Sequence, residues 1–292
     1  MRGLRRSALL VVPLLLAATA CAPADDDETD TGTAETPSES PEACAPDTLP
    51  LKTDGQLTIG TDSPAYEPWF VDNDPSNGEG FESAVAYAVA EELGFARDQV
   101  TWVKVPFNTS YAPGEKKFDF DINQISITEA RDKAVDFSDG YYSAAQAVIA
   151  PKGSDAAQAT SVEDLKEIRL GAQTGTTSLT AVRDVIQPTQ DPLVFEDTNA
   201  AKQALANDQV DAIVADLPTA FYITAVEIPN ATIVGQFQPA EGETEQFGML
   251  FEEGSELVPC VNEALASLED SGELQQIEQQ WLSDVVDVPV LD

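Results

Sequence analysis

From Leu49 onward, short apolar runs of strand type alternate with stretches of helical spacing, and this alternation constrains the fold more than any other feature of the chain. Strands are expected over residues 57–61, 100–105, 118–127, 145–150, 168–172, 210–215 and 247–251. Helices are expected over 81–93, after Thr128, from Thr177 to about 186, over 200–206, after Pro218, and over 257–269 and 274–282, with a short turn of helix at 162–165. Such a pattern implies an α/β fold with largely parallel sheets. Roughly 245 residues are enough for two lobes, and no internal repeat is visible.

Composition narrows the chemistry. Lys and Arg total 15 against 52 for Asp and Glu, a formal net charge of -37. A nucleic-acid partner is excluded, because phosphates need a basic footprint. The chain has no histidine, so no Ser-His-Asp or Cys-His nucleophile and no His-ligated zinc can form. No metal or other cofactor is expected. Catalysis by carboxylates or lysine stays open.

The start of the chain reads as a targeting segment. Arg2, Arg5 and Arg6 precede an apolar stretch from Ala8 to Leu16. That stretch is shorter than the about 20 residues a bilayer requires, and small residues follow it, as in a signal peptide over 1–20. Ala17, Ala18, Thr19 and Ala20 followed by Cys21 resemble a bacterial lipobox, with Ala18 where Leu is frequent. Acylation of Cys21 would anchor the chain to the membrane by lipid alone; an ordinary secretory signal is the alternative. Residues 22–47 carry no aromatic or long aliphatic side chain before Leu49 and hold Asp25, Asp26, Asp27 and Glu28 in a row. This segment is expected to be a disordered acidic tether. With Cys21 lipidated in an oxidising compartment, Cys44 and Cys260 are expected to pair, two free thiols being the alternative.

Three places stand out beside strand ends, where ligands bind in open α/β sheets. Arg131, in Ser126-Ile127-Thr128-Glu129-Ala130-Arg131, could grip a carboxylate with parallel hydrogen bonds, or pair with Glu129 or Asp132. Gly175-Thr176-Thr177 opens a helix and could hold an anion, or form a plain capped turn. No Lys follows to make it a nucleotide loop. Asp216 ends an apolar strand and needs a cationic partner, unless it caps the helix after Pro218. Together, an arginine, an anion-binding turn and a carboxylate suit a zwitterion such as a free α-amino acid.

These segments resemble the bacterial extracellular solute-binding proteins of family 3, which serve polar amino acid ABC transporters. The resemblance spans about 55–285. It rests on Ile59-Gly60-Thr61-Asp62, Tyr66 with Pro68 and Trp69, Gly80-Phe81-Glu82, the Ser126-to-Arg131 run, Val135-Asp136-Phe137-Ser138-Asp139, Gly175-Thr176-Thr177, and Val210-Asp211-Ala212 with Asp216. Glu82 stands where the family usually has Asp, and Asn123 and Gln124 stand where it often has small residues.

The resemblance implies a type II periplasmic-binding-protein-like fold, with two mixed sheets flanked by helices and a two-strand hinge. Lobe 1 would be 48–145 plus 248–292, and lobe 2 would be 146–247. Arg131 would bind the ligand carboxylate, helped by Thr177 with Thr176 beside it, and Asp216 the ammonium. Ser126 and the Gln124 backbone would hold the same end, while Asp62, Tyr66 and Trp69 would shape a side-chain pocket favouring polar or cationic ligands. The implied protein is a monomeric, lipid-anchored, extracytoplasmic binding protein that delivers a free amino acid to ABC permease subunits. A carboxylate-based enzyme such as a dehydratase on the same fold, or a ligand-sensing module, are the competing readings.

Overall fold

A computed structural model of the chain describes residues 44–238, 244–282 and 288–291. The expected leader, Cys21 and the tether as far as residue 43 lie outside the described residues.

The strands are β1 (Leu57–Thr61), β2 (Val100–Lys104), β3 (Phe120–Asp121), β4 (Asp136–Ala144), β5 (Gln146–Pro151), β6 (Leu170–Gln173), β7 (Leu193–Phe195), β8 (Ala212–Asp216), β9 (Ala231–Phe237) and β10 (Glu245–Phe251). The α-helices are α1 (Phe81–Glu92), α2 (Phe107–Ser110), α3 (Glu129–Asp132), α4 (Thr177–Ala181), α5 (Thr198–Ala206), α6 (Leu217–Tyr222), α7 (Val258–Ser271) and α8 (Glu273–Trp281). Both α4 and α6 continue as a π-helical turn, over Val182–Ile186 and Ile223–Glu227.

Two five-stranded sheets form, ordered β2-β1-β3-β10-β4 and β7-β6-β8-β5-β9. They are mixed, not largely parallel. β1 runs parallel to β2 and β3, and β6 parallel to β7 and β8, because helical crossovers link these strands. β5 and β10 enter directly from the other sheet and pair antiparallel with their neighbours. Each sheet is covered on both faces, which explains its continuous apolar strands. In the first sheet, Leu57, Ile59, Phe120 and Phe247 pack with Val85 and Val89 of α1 and Val261 and Leu265 of α7. Phe107, Phe118, Ile125, Val135 and Leu250 fill its other side. The second sheet is flanked by clusters built on Val148, Val182 and Val214, and on Ile149, Leu205 and Ile213.

Several expectations are corrected. The strand expected over 118–127 pairs only at Phe120–Asp121. The chain then leaves the sheet through Gln124, whose φ of 47° is left-handed, and only Ser126 bridges back to Phe247. β4, β7 and β9 did not emerge from the apolar pattern. β7 is too short to show alternation, and β4 interleaves Ser, Asp and Gly with its aromatics. Residues 288–291, expected with the first lobe, lie against the second sheet. Gln236 bridges Val290 and Leu291 joins that sheet's core. Gly235 permits this approach, since a Cβ there would come within 2.6 Å of Leu291 Cγ.

Cys44 and Cys260 form a disulfide. It ties the first described residue to α7, and Leu49 just beyond it is buried in the core of the first sheet. The bond spans a sequence separation of 216 residues. In the chain-entropy model a loop of that size stabilises by at most about 5 kcal/mol, less whatever strain and residual structure remove. Reduction, or a C44S/C260S double substitution, should therefore lower the thermal unfolding temperature. Calorimetry with and without reductant checks this; superimposable transitions would contradict it.

Candidate functional site

The site is built from loops at the strand ends where the two sheets face each other. Thr128 caps α3, its side chain accepting from the Arg131 N–H at 3.3 Å, and this turn fixes the base of the arginine. Arg131 is 8% exposed, so it is no surface ion pair. Its Nη1 donates to Ser126 O at 2.7 Å and its Nη2 to Gly175 O at 3.0 Å, across to the second half of the molecule. The guanidinium lies over the rings of Tyr111 at 4.8 Å and Phe107 at 5.5 Å. Burial draws its pKa down, though a guanidinium keeps its charge in proteins. Glu129 pairs instead with Lys133.

Gly175 makes the close approach possible. Its φ is 75°, and a Cβ there would lie 2.4 Å from the Tyr111 hydroxyl and 2.6 Å from Asn108 Oδ1. Thr176 next to it caps α4, accepting from Leu179 N at 3.1 Å and donating to Gln173 O at 2.8 Å. Thr177 Oγ1 lies 3.2 Å from Ser126 Oγ. Further contacts join the halves: Trp69 Nε1 donates to Thr219 Oγ1 at 2.8 Å, and Lys202 Nζ lies 5.4 Å from the Tyr66 ring centroid.

Asp62, Tyr66, Gln124, Ser126, Thr176, Thr177 and Asp216 line one cavity, with about 770 Å³ of empty space including its open mouth. Polar side chains from both halves converge on it, as they do in a small-molecule site. Asn123, Gln173 and Ser178, neighbours of the expected residues in sequence, also line it, as do Phe107, Thr198 and Thr219, which carry no motif of their own and are gathered by folding alone. Two expected residues stand outside the lining. Arg131 sits behind Ser126 and Phe107. Trp69 is fully buried among Phe81, Tyr142 and Phe247, because its large ring completes the core. It meets the cavity wall through its hydrogen bond to Thr219. Asp62 reaches the cavity, but its carboxylate accepts the N–H groups of Ser63 at 2.6 Å and Phe107 at 3.1 Å. Tyr66 already has Lys202 beside its ring.

Asp216 ends β8 at the N-cap position before α6, yet its side chain makes no capping bond. It keeps an edge open to the cavity, with protein on its other sides. Gln146 Nε2 donates to its Oδ1 at 2.8 Å. Burial, with Glu245 and Glu82 adding to it, pushes the Asp216 carboxyl up to about 8, against the lowering effects of Gln146 and Arg131. Glu82 explains two departures from the family pattern. It accepts from the Gln124 N–H at 2.6 Å, from the Gln124 side-chain amide and from the Tyr141 hydroxyl. A side chain longer than Asp reaches the left-handed Gln124 residue, and the pair closes the floor of the site. Burial pushes Glu82 up to about 7. Deeper still, neither oxygen of Asp121 has a hydrogen-bond partner among the described residues. Burial first, then Glu82 and Asp62, hold that carboxyl well above the ordinary range, opposed by Lys116.

The fold and its inter-lobe cavity define a two-lobed binding protein, and the comparisons place it further. The model of the bacterial extracellular solute-binding proteins, family 3, matches residues 57–284, and the chain belongs to that family. Among curated relatives, the L-cystine-binding protein TcyJ of Escherichia coli K12 is 26% identical over 233 residues, 79% of this chain and 84% of that protein. The arginine-binding extracellular protein ArtP of Bacillus subtilis is 29% identical, covering 78% and 86%. Among solved structures, an ancestral arginine-binding protein bound to glutamine is 31% identical with a TM-score of 0.66, covering 80% of this chain and 100% of that one. Its arginine-bound counterpart is 33% identical with a TM-score of 0.65, covering 78% and 98%. The chain is a solute-binding protein of the type II periplasmic-binding-protein fold. Among the described residues, no helix is long and apolar enough to cross a membrane.

The raised Asp216 carboxyl sets a pH dependence. If Asp216 holds a ligand ammonium, as expected, the ammonium needs the carboxylate, and binding would displace a proton below about pH 8. Affinity for an amine-bearing ligand should rise with pH towards that value and then level off. Calorimetry in buffers of different ionisation enthalpy should show about one proton released per ligand near pH 6. Proton release of zero there would contradict the assignment.

Proposed function

We propose that this protein is a lipid-anchored extracytoplasmic binding protein that closes on a free amino acid and delivers it to ABC permease subunits. The leader over 1–20 and acylation at Cys21 supply the anchor, residues 22–43 the tether, and the two sheet-centred halves the lobes that close. The observation that carries this reading is the charge layout at the cavity. Arg131 is clamped just behind its wall between Ser126 O and Gly175 O. Asp216 opens on its interior, backed by Glu245 and Glu82.

In this reading the ligand carboxylate meets the field of Arg131, the Ser126 and Thr177 hydroxyls and the start of α4. The ligand ammonium meets Asp216. Acids outnumber the guanidinium around the cavity, so a polar or cationic side chain is favoured over an acidic one. The relatives fit this preference: their names give cystine, arginine and glutamine as ligands.

The dehydratase reading draws on one structural neighbour, an ancestral amino acid-binding protein described as a precursor of cyclohexadienyl dehydratase. A general acid must reach its substrate. Glu82 has a suitable pKa, but it is fully buried, lies outside the cavity lining and is occupied by Gln124 and Tyr141. That geometry removes Glu82 as a general acid, and Asp216, which does reach the cavity, is taken by the ligand amine in this reading.

A calorimetric screen of the common amino acids tests the proposal. A polar or cationic amino acid should bind and be recovered unchanged. Asp216→Ala should weaken it by about 2–5 kcal/mol, tens- to thousands-fold, because it leaves a desolvated ammonium unpaired, and Arg131→Ala should weaken it too, because it removes the guanidinium's field and the clamp between Ser126 and Gly175. Near wild-type affinity in both variants, or binding confined to apolar amino acids, would overturn it.

A further inference from the structure

Gln146 has no place in the sequence motifs, yet its side chain bonds to three polar side chains around the site, Asp216, Glu245 and Ser178. It is the first residue of β5, just past the point where the chain leaves the first sheet, and it is fully buried. Its Nε2 donates to Asp216 Oδ1 at 2.8 Å and to Glu245 Oε2 at 2.7 Å. Its Oε1 accepts from Ser178 Oγ, on α4, at 2.6 Å. Glu245 is the first residue of β10, where the chain has returned to the first sheet. The other Glu245 oxygen accepts from Ser126 Oγ at 2.6 Å. One amide thus joins both chain crossings to both walls of the cavity.

The chemistry of that choice is specific. A primary amide has two N–H donors and carries no charge. It can hold two carboxylates side by side without neutralising either. A lysine here would satisfy Asp216 and remove its need for a ligand cation. An apolar residue would leave two acids facing each other without a donor. The charged and titratable groups facing Asp216 are Glu245 on β10, Glu82 on α1, Arg131 on α3, and Tyr141 and Tyr142 on β4.

The geometry points to Gln146 as a positioning residue for amine capture: with Glu245 it aims the Asp216 carboxylate at the cavity and sets how readily that group exchanges a proton for the ligand ammonium. This rests on Asp216 as the partner of the ligand amine. The exchange is non-covalent. The proton leaves the Asp216 oxygen for solvent as the ammonium donates to the same carboxylate.

Two substitutions should act in opposite directions. Gln146→Met keeps the shape and removes both donors, so Asp216 should hold its proton more tightly. Glu245→Gln removes the neighbouring charge, so Asp216 should lose its proton more easily. The readout is the carboxyl titration of Asp216 by carbon NMR in the ligand-free full chain, alongside the pH profile of affinity for the amino acid that binds best. We expect the midpoint to rise by about one pH unit in Gln146→Met and to fall by about one in Glu245→Gln, with the affinity profiles following. Midpoints that stay at the wild-type value, or move the same way in both variants, would overturn the inference. A merely structural role predicts no such opposition. If Gln146→Met does not fold, the downward shift in Glu245→Gln and an upward shift in Gln146→Asn, whose shorter amide pulls back from the carboxylates, decide the question. If no amino acid binds the wild type, the reading of Asp216 falls, and the carboxyl titration alone still tests the positioning role.

Discussion

A carboxylate taken out of water without a positive partner is costly, and the cleft of this protein concentrates that cost. Asp216, Glu245, Glu82 and Asp121 lie in or beneath one buried region, and the cations near them, Arg131 and Lys116, are committed to carbonyl oxygens. The imbalance raises the carboxyl pKa of Asp216, Glu82 and Asp121, chiefly through burial, and is eased by neutral donors such as Gln124, Gln146 and Tyr141. Neutral donors keep the acids in place without cancelling them. What remains unsatisfied is a demand for positive charge at the cavity, which we propose a ligand ammonium meets.

The rest of the fold serves that demand by holding the two halves in register. The first sheet and the helices packed on it carry Arg131, Ser126 and Glu82, while the second carries Asp216, Thr177 and Gly175. Neither half holds a complete site. The short loops are fixed by caps, Thr128 on α3 and Thr176 on α4, so their functional neighbours inherit defined directions. The Cys44–Cys260 bond lies far along the first half, where it secures the start of the folded chain. The C-terminal residues 288–291 return to the second sheet, so the chain contacts both halves at its end as well as at β4–β5 and β9–β10.

Much of this was legible in the sequence because local rules agreed with the global fold. The strand at 57–61 and the helix beginning at Phe81 fell where periodicity put them. Thr128, Arg131 and Thr177 stood at turns whose chemistry is local. The alternatives for Arg131 and Asp216, a surface pair and a helix cap, needed coordinates to decide, since both depend on where a side chain points. Trp69 was misplaced because an aromatic beside a cleft looks the same in sequence whether it lines the pocket or fills the core behind it. Gln146 and Glu245 were invisible for a different reason. Their role arises from two chain crossings 99 residues apart in sequence, 146 to 245, meeting at one point. The departures at Glu82 and Gln124 looked independent and turned out to be one hydrogen-bonded unit.

The central claim is that Asp216 receives a ligand ammonium, and the ligand side offers its most direct test. The amino acid that binds tightest should be compared by calorimetry with its desamino analogue, identical except for the missing amine. The account predicts a loss of about 2–5 kcal/mol, because the analogue leaves the Asp216 carboxyl without its cation. Equal affinity for the two ligands would contradict it.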